Sequence, residues 1–332
     1  TVANGGLVTD AQGDDVIFTS DSACATKLDH EVEVYGASTG TVAYWVRVPT
    51  VTTATATEIY MCYGKDSVTS TQENITGTWN SNYKSVWHLP NGTTLAALDS
   101  PSSAFNGTIT NAVAGTGQVD GAGVFDGTSD YITISNSANL DTDPMTVSFW
   151  VKPTLASMNN ALGMILDKAD LSLPTNNGWY AFFDDRDSIP RVNNFGVEYE
   201  RATTESLWAA DNFFTNDDWV HISVIFDLTA TPVIRVYKNS VLHTSSSYTA
   251  GSGSHTASTQ SLVMAARSAG TGFFLFGRLD EIHVSNSVRS ADWITTVYNS
   301  QSSPSTFYLV GAQTTGVCGG GDKMMLGMIG DN

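Results

Sequence analysis

The feature that most constrains this chain is the alternation of apolar and polar residues in short runs that end at turn residues. The alternation is cleanest in segment 219–227, where Val220, Ile222, Val224 and Phe226 would share one face of an extended chain. Successive side chains of a β-strand point to opposite faces of the sheet, so this pattern predicts a strand with one buried face. Similar runs recur at short intervals between Gly, Asn and Ser residues, which favours a sandwich or jelly roll.

Only residues 290–298 show a convincing helical period. Ser290 is a suitable N-cap, Asp292 would lie in the first turn, and Ile294 and Val297 would share one side. The chain is therefore predicted to be all-β, with one short helix near its C-terminal end.

The length of 332 residues predicts two domains, because single domains commonly hold about 100–200 residues. Ser, Asn, Gly and Thr dominate the stretch 99–123, and the boundary is placed at its start. The predicted order is an N-terminal β domain over 1–98, a jelly roll over 99–302 and a C-terminal extension over 303–332. The Met-rich end of the extension has no clear period, so it is expected to pack on the body or on a partner.

The charge balance argues against nucleic acid as a partner. There are 33 Asp and Glu residues against 15 Lys and Arg residues, a net charge of −18, and no basic patch interrupts the excess. No apolar run of about 18 residues is present, so no membrane span is predicted. The sequence begins at Thr1 and shows no signal peptide, which leaves export open.

The three cysteines, Cys24, Cys62 and Cys318, are too few for a disulfide scaffold. Free thiols are the expected state of all three. A Cys24–Cys62 bridge is the alternative, although no spacing supports it and neither neighbourhood resembles a metal knuckle.

Segments spread over residues 99–300 together resemble the laminin-G-like jelly rolls of the concanavalin A-like lectin/glucanase superfamily. The resemblance lies in the ordered segments 121–127, 130–132, 145–153, 219–222, 236–239, 277–282 and 289–294. It implies a two-sheet jelly roll, and it implies no particular activity, because function depends on sites grafted on a fold.

The first hundred residues resemble a β domain of unknown function that often precedes such jelly rolls in microbial surface and phage proteins. The segments concerned are 13–19, 27–31, 44–49, 59–64 and 86–89. Such domains usually begin with additional strands, so the resemblance implies a sandwich-like domain that lacks its first strands here. It also implies an extracellular setting, on a virion or on a secreted or cell-surface structure.

A glucanase of this superfamily would need carboxylates paired across one sugar bond, usually from a Glu-x-Asp-x-(x)-Glu run, which is missing. The nearest candidates are the pairs Glu31 with Glu33 and Glu198 with Glu200, and a solvated strand face is the expected role of each. There is no Gly-x-Ser-x-Gly elbow, and the histidines are scattered singly. No catalytic residue is predicted.

Structural calcium is the one cofactor that the resemblance implies. The matching positions are Asp126, Gly127 and Asp280, which would offer carboxylate and carbonyl oxygens to the ion. The alternative is that both aspartates close turns by accepting backbone N–H groups.

Glycan binding needs exposed aromatic rings flanked by polar groups. Trp179, Tyr180, Tyr199, Arg201 and Trp208 form the candidate set, and core packing is the alternative for the aromatic members. The leading hypothesis is a non-catalytic surface or virion protein whose jelly roll binds a glycan or a neighbouring subunit. A purely structural capsid-decoration, fibre or filament subunit that self-associates and a divergent glycoside hydrolase are the alternatives.

Overall fold

The computed structural model describes residues 1–52, 55–90, 92–102, 104–170, 176–186 and 192–311, and the backbone of 327–330. The chain divides into two compact units. The first unit combines Thr1–Asn80 with Asp292–Asn332, and the second unit is Ser81–Ala291. No helix among the described residues is long and apolar enough to cross a membrane.

The described part of the first unit contains two small sheets, three α-helices and a 3₁₀ helix at Val2–Asn4. Its strands are β1 Ile17–Thr19, β2 Lys27–Leu28, β3 His30–Tyr35, β4 Val42–Val48, β5 Tyr60–Cys62 and β22 Gly327–Gly330. Its helices are α1 Ile75–Thr78, α2 Ala291–Ser302, which begins at the unit boundary, and α3 Pro304–Phe307. One sheet has the order β2-β1-β5, and in the other β3 pairs antiparallel and β22 pairs parallel with β4.

The core of the first unit is small and aromatic. Phe18 is fully buried and lies edge-on to the rings of His30 and Tyr44, with ring centroids 5.2 and 5.1 Å away. Val46 and Met61 pack into the same cluster from β4 and β5. The predicted N-terminal β domain is therefore present, built from short strands around one cluster.

The prediction of free thiols is wrong for Cys24 and Cys62, which form a disulfide bond. Strand β1 pairs with both β2 and β5, and Ile17 lies opposite Cys62. Cys24 lies in the β1–β2 connection, so the three-stranded pairing brings the two thiols together. Their 38-residue separation carried no signal because the pairing is long-range. Cys318 lies outside the described residues.

The second unit is a sandwich of two large sheets. We call the sheet with the order β19-β15-β14-β13-β12-β20-β10-β7 the front sheet, and the sheet with the order β18-β17-β16-β11-β21-β9-β8 the back sheet. The strands are β6 Tyr83–Trp87, β7 Gly107–Thr110, β8 Val113–Thr116, β9 Gly121–Asp126, β10 Tyr131–Ile134, β11 Met145–Pro153, β12 Leu162–Asp167, β13 Trp179–Asp184, β14 Asn194–Tyr199, β15 Glu205–Trp208, β16 Val220–Phe226, β17 Ile234–Lys238, β18 Val241–Leu242, β19 Ser247–Thr249, β20 Leu262–Met264 and β21 Phe276–Ser285. The predicted jelly roll is confirmed.

The alternation in segment 219–227 predicts the inward face of β16 correctly. Val220, Ile222, Val224 and Phe226 all belong to the core between the two sheets. The opposite face is also buried, since His221 is only 1% exposed. A half-buried strand was expected, so the alternation identified the strand and its core face but not the burial of its other face.

The boundary between the units lies 18 residues before the predicted one, at 80/81 instead of 98/99. The reason is β6, which pairs antiparallel with β21 and places the fully buried Trp87 in the core of the second unit. Within the predicted C-terminal extension, β22 pairs parallel with β4 of the first unit, which agrees with the expectation that this segment packs on the body. The predicted helix is confirmed and longer than expected, Ala291–Ser302, with Ile294 and Val297 buried.

Candidate functional site

The structure separates the predicted glycan-binding residues instead of bringing them together. Trp179 and Tyr199 point into the core between the sheets and are 1% and 0% exposed. The Trp179 indole donates to the carbonyl of Leu140 at 3.0 Å, and the Tyr199 ring stacks on His255 with centroids 4.1 Å apart. Neither ring can stack on a sugar, so this part of the prediction is wrong and core packing is the observed role.

Tyr180 of β13 lies on the opposite face of the front sheet from Trp179, because side chains alternate along a strand, and Trp208 of β15 packs on the same face as Tyr180. They pack with Phe182, whose ring is edge-on to Trp208 at 4.8 Å. The Tyr180 hydroxyl donates to Glu198, and burial, followed by the charge of Glu198, raises the pKa of this hydroxyl. Trp208 is partly exposed and Tyr180 is 9% exposed, so this cluster offers little free aromatic surface.

Arg201 lines a cavity of about 300 Å³ beside the start of β13 and the end of β14. The lining is polar and combines amide, hydroxyl, carboxylate and guanidinium groups. Its residues are Asn176, Asn177, Glu200, Arg201, Ala202, Thr203, Thr204, Ser254 and Thr256. We call this cavity the Glu200 pocket.

The buried carboxylate of the pocket is Glu200, which follows β14 and is 1% exposed. Burial raises its pKa above the ordinary value, whereas the Thr204 hydroxyl, which donates to Oε2 at 2.7 Å, favours the charged form. The side chain of Asn176, which lines the same pocket, also favours the charged form, and a carboxylate has about four acceptor positions. The carboxylate therefore has an acceptor to offer to a ligand.

The guanidinium of Arg201 is held in place on two sides. Nε donates to the carbonyl of Gly253 at 2.9 Å, and Nη1 donates to Glu205 at the start of β15. The connection between β14 and β15 is fixed further by Thr203, which bridges to Ser252. These contacts fix the orientation of the acid, the base and the hydroxyls around the pocket.

The expected solvated role of the two glutamate pairs is wrong for Glu31 and Glu200, which are 6% and 1% exposed. In the first unit, Glu31 accepts a hydrogen bond from the indole of Trp79, and Glu33 accepts one from the indole of Trp45 at 2.8 Å. Buried carboxylates need such donors. The charge pattern alone did not show that tryptophans would supply them.

The three residues predicted to hold calcium do not converge on one ion. Asp126 is exposed and accepts from the backbone N–H groups of Thr128 and Ser129, so it closes a turn. Asp126 lies opposite Phe276 across β9 and β21, and Asp280 is four residues further along, roughly 13 Å at the rise of a strand. For these residues the turn-closing alternative is the observed one.

Asp280 instead supports a hairpin turn. It is fully buried and accepts hydrogen bonds from the backbone N–H groups of Gln118 and Val119 at 2.7 and 2.9 Å. These residues belong to the turn between β8 and β9. The carboxylate therefore ties that turn to the long strand β21.

One group of side chains in the described part of the chain has the spacing of a metal site, namely His88, Glu281 and His283. Sequence reasoning missed it because His88 and Glu281 are 193 residues apart. It also missed Asn176 and Thr204 in the Glu200 pocket. Only the i, i+2 acid pair and Arg201 pointed to that region.

Two facing sheets with these strand orders define a jelly-roll sandwich with a polar pocket at one end of the front sheet. The family description "Concanavalin A-like lectin/glucanases superfamily" matches residues 126–295, which is more than half of the chain. The chain belongs to this superfamily. Residues 12–81 match a domain of unknown function, DUF2341.

Solved structures share the fold at low sequence identity. The receptor binding domain of botulinum neurotoxin mosaic serotype C/D is 13% identical with a TM-score of 0.50, over 69% of this chain and 52% of that chain. The binding domain of Paraclostridial Mosquitocidal Protein 1 is 13% identical with a TM-score of 0.49, over 66% and 52%. This chain therefore spans about half the length of each. No curated protein sequence matches the chain.

Proposed function

We propose that the second unit is a non-catalytic binding domain that takes a glycan in the Glu200 pocket. The observation that carries the proposal is the buried Glu200 carboxylate beside the fixed Arg201 guanidinium, in a cavity lined by amides and hydroxyls. Sugar hydroxyls both donate and accept hydrogen bonds, and this lining offers partners of both kinds. By its title, one protein of similar fold is a receptor binding domain, so this fold serves binding in that protein.

The proposed setting is extracellular, on a virion or on a secreted or cell-surface structure. The Cys24–Cys62 disulfide supports this setting, because such bonds persist in oxidising environments. The net charge of −18 supports a glycan or protein partner over a nucleic acid.

The test is a glycan array probed with the purified chain, followed by titration of the best sugar against two matched variants. Glu200→Gln changes the pocket, and Glu198→Gln makes the same change two residues away, where the carboxylate accepts from Tyr180 outside the pocket lining. We expect Glu200→Gln to weaken binding at least about tenfold, because hydrogen bonds to charged groups contribute about 1.5–3 kcal/mol, and Glu198→Gln to leave it unchanged. An array with no bound sugar, or equal effects of both variants, would overturn the proposal.

The same sugars also test for catalysis. Release of shortened products by the wild-type chain, abolished in Glu200→Gln, would replace the binding proposal with a divergent glycoside hydrolase. Adding a calcium chelator to a parallel array tests whether binding depends on calcium.

A structural subunit is the second candidate function, and the edge of the back sheet favours it. Strand β18 is an edge strand, and its residues Val241 and Leu242 are 69% and 54% exposed. Exposed apolar edge strands can pair with a second copy. If this edge mediates assembly, the wild-type chain will be multimeric in solution and Val241→Lys/Leu242→Lys will be monomeric, whereas a monomeric wild type would exclude it.

A further inference from the structure

The back sheet contains a buried cluster that glycan binding does not use. His88 follows β6, and Glu281 and His283 lie on β21. Nδ1 of His88 is 2.9 and 3.0 Å from the two oxygens of Glu281, and Nε2 of His283 is 2.9 Å from Oε2. The three residues are 6%, 2% and 3% exposed.

A β-bulge positions the carboxylate. Ser148 of β11 lies opposite His283 and Trp150 lies opposite Asp280, so three steps along β21 match two steps along β11. Glu281 lies in this bulge with a backbone φ of 50°. This left-handed conformation is strained for a residue other than glycine. Strained residues and bulges gather at functional sites, because the surrounding structure must hold them.

The pairing of β6 with β21 positions the first histidine. Trp87 lies opposite Ile282, so His88, the next residue, lies beside Glu281. The ring of Tyr83 is edge-on to His283 at 6.2 Å, and the ring of His88 is edge-on to His283 at 6.4 Å. Residue His88 after β6 and strand β21 are far apart in sequence, and they meet at the Glu281 carboxylate. The ring of Tyr83 lies next to this group.

We propose that His88, Glu281 and His283 bind one divalent transition-metal ion, best matched by Zn²⁺, which ties β6 to β21. Two imidazoles and one carboxylate form a donor set that suits zinc. Donors about 2.0–2.1 Å from a tetrahedral zinc are about 3.3 Å from one another. The nitrogen–oxygen distances of 2.9–3.0 Å are close to that value, so small movements open the site.

The donor atoms need no large rearrangement. The donor atoms of the three residues all lie within 4.8 Å of one another. A carboxylate only accepts hydrogen bonds, so the imidazole nitrogens that face ionised Glu281 carry protons. A shift of each proton to the other ring nitrogen, or its release to water, leaves a lone pair facing the ion.

The experiment uses the full chain, treated with a strong chelator, dialysed and titrated with ZnCl₂ by calorimetry. We expect one ion per chain, and we expect a thermal midpoint raised by about 5–10 °C when free Zn²⁺ is a hundredfold above its Kd. Visible absorption bands of the Co²⁺-loaded chain would report tetrahedral coordination. Absence of stoichiometric binding by the wild-type chain would overturn the proposal.

Three variants locate the ion. Glu281→Gln keeps the shape of the side chain but removes its charge, and His88→Ala removes the donor that follows β6. Each should weaken Zn²⁺ binding more than tenfold. His243→Ala is the matched control, because His243 is partly exposed and belongs to the segment after β18. Circular dichroism checks the fold of each variant, and undiminished binding in both Glu281→Gln and His88→Ala would overturn the proposal.

Discussion

The Thr204 hydroxyl donates a 2.7 Å hydrogen bond to Oε2 of Glu200, within the connection from β14 to β15. This bond favours the charged carboxylate at a site where burial favours the neutral acid. Thr204 opposes the effect of burial together with Asn176 and His255, so removing its hydroxyl should raise the pKa of Glu200 without changing the pocket lining elsewhere.

Thr204→Val should weaken glycan binding about three- to tenfold at neutral pH. The substitution keeps the volume but removes a hydrogen bond to a charged group, which raises the pKa of Glu200 further and loosens its orientation. Calorimetric titration of the best array sugar measures the effect. Thr296→Val is the control, since Thr296 lies on helix α2 and its hydroxyl bonds the Asp292 carbonyl.

The raised pKa of Glu200 predicts that the free energy of unfolding depends on pH. Its folded pKa is raised by burial, so the folded chain holds this proton to a higher pH than the unfolded chain does. The stabilising effect of the neutral acid is present below the unfolded pKa, near 4.5, and is lost as the pH rises through the folded value.

Glu200→Gln should therefore be more stable than the wild type at pH 7, and the difference should shrink as the pH falls towards 4.5. Urea unfolding of both proteins at several pH values measures the difference in the free energy of unfolding. A difference that grows on acidification would show that Glu200 is better stabilised as a carboxylate than its burial indicates.

Asp280→Ala should lower the free energy of unfolding by about 1–3 kcal/mol, because the N–H groups of Gln118 and Val119 lose their acceptor. Since Asp126 and Asp280 do not share a coordination shell, the loss should be the same with calcium and with a chelator. Thermal scans under both conditions measure it. A loss seen only with calcium would restore Asp280 as a calcium ligand.

Local sequence patterns predicted β16 of the second unit and helix α2 of the first unit well, because strand alternation and helical period are local properties. Neighbouring residues in the sequence were enough to predict the core face of β16, which includes Ile222, and the buried side of helix α2, which includes Ile294. The position of β6, the Cys24–Cys62 bond and the meeting of His88 with Glu281 depend on pairing between distant segments. A single sequence does not show such pairing.

The candidate site was only partly predictable for a related reason. Alternation says that Trp179 and Tyr180 point to opposite faces, but not which face is the core. Arg201 was identified as a polar group close in sequence to aromatic residues such as Tyr199. Asn176 and Thr204 carry no periodic signal and meet Glu200 only through the folded connections around it.

The disulfide should contribute strongly to the first unit. Closing a loop of 38 residues is expected to stabilise the fold by about 2–4 kcal/mol through the unfolded chain. Cys24→Ala/Cys62→Ala should lower the urea midpoint of the first unit by a corresponding amount, followed by the fluorescence of its tryptophans. Reductant should shift the wild type towards the variant and leave the variant unchanged; equal midpoints without reductant would contradict the prediction.

Trp179 and Trp208 should respond differently to truncation. Trp179→Ala removes a core ring and leaves the Leu140 carbonyl without its indole donor, so we expect a loss of about 3–5 kcal/mol in the free energy of unfolding. Trp208 is partly exposed and contacts Phe182 on the other face of the front sheet, so Trp208→Ala should cost less than about 2 kcal/mol. Because Trp208 does not line the Glu200 pocket, its variant should keep full glycan affinity. Loss of affinity in folded Trp208→Ala would move the binding site from the pocket to the face that carries Tyr180 and Phe182.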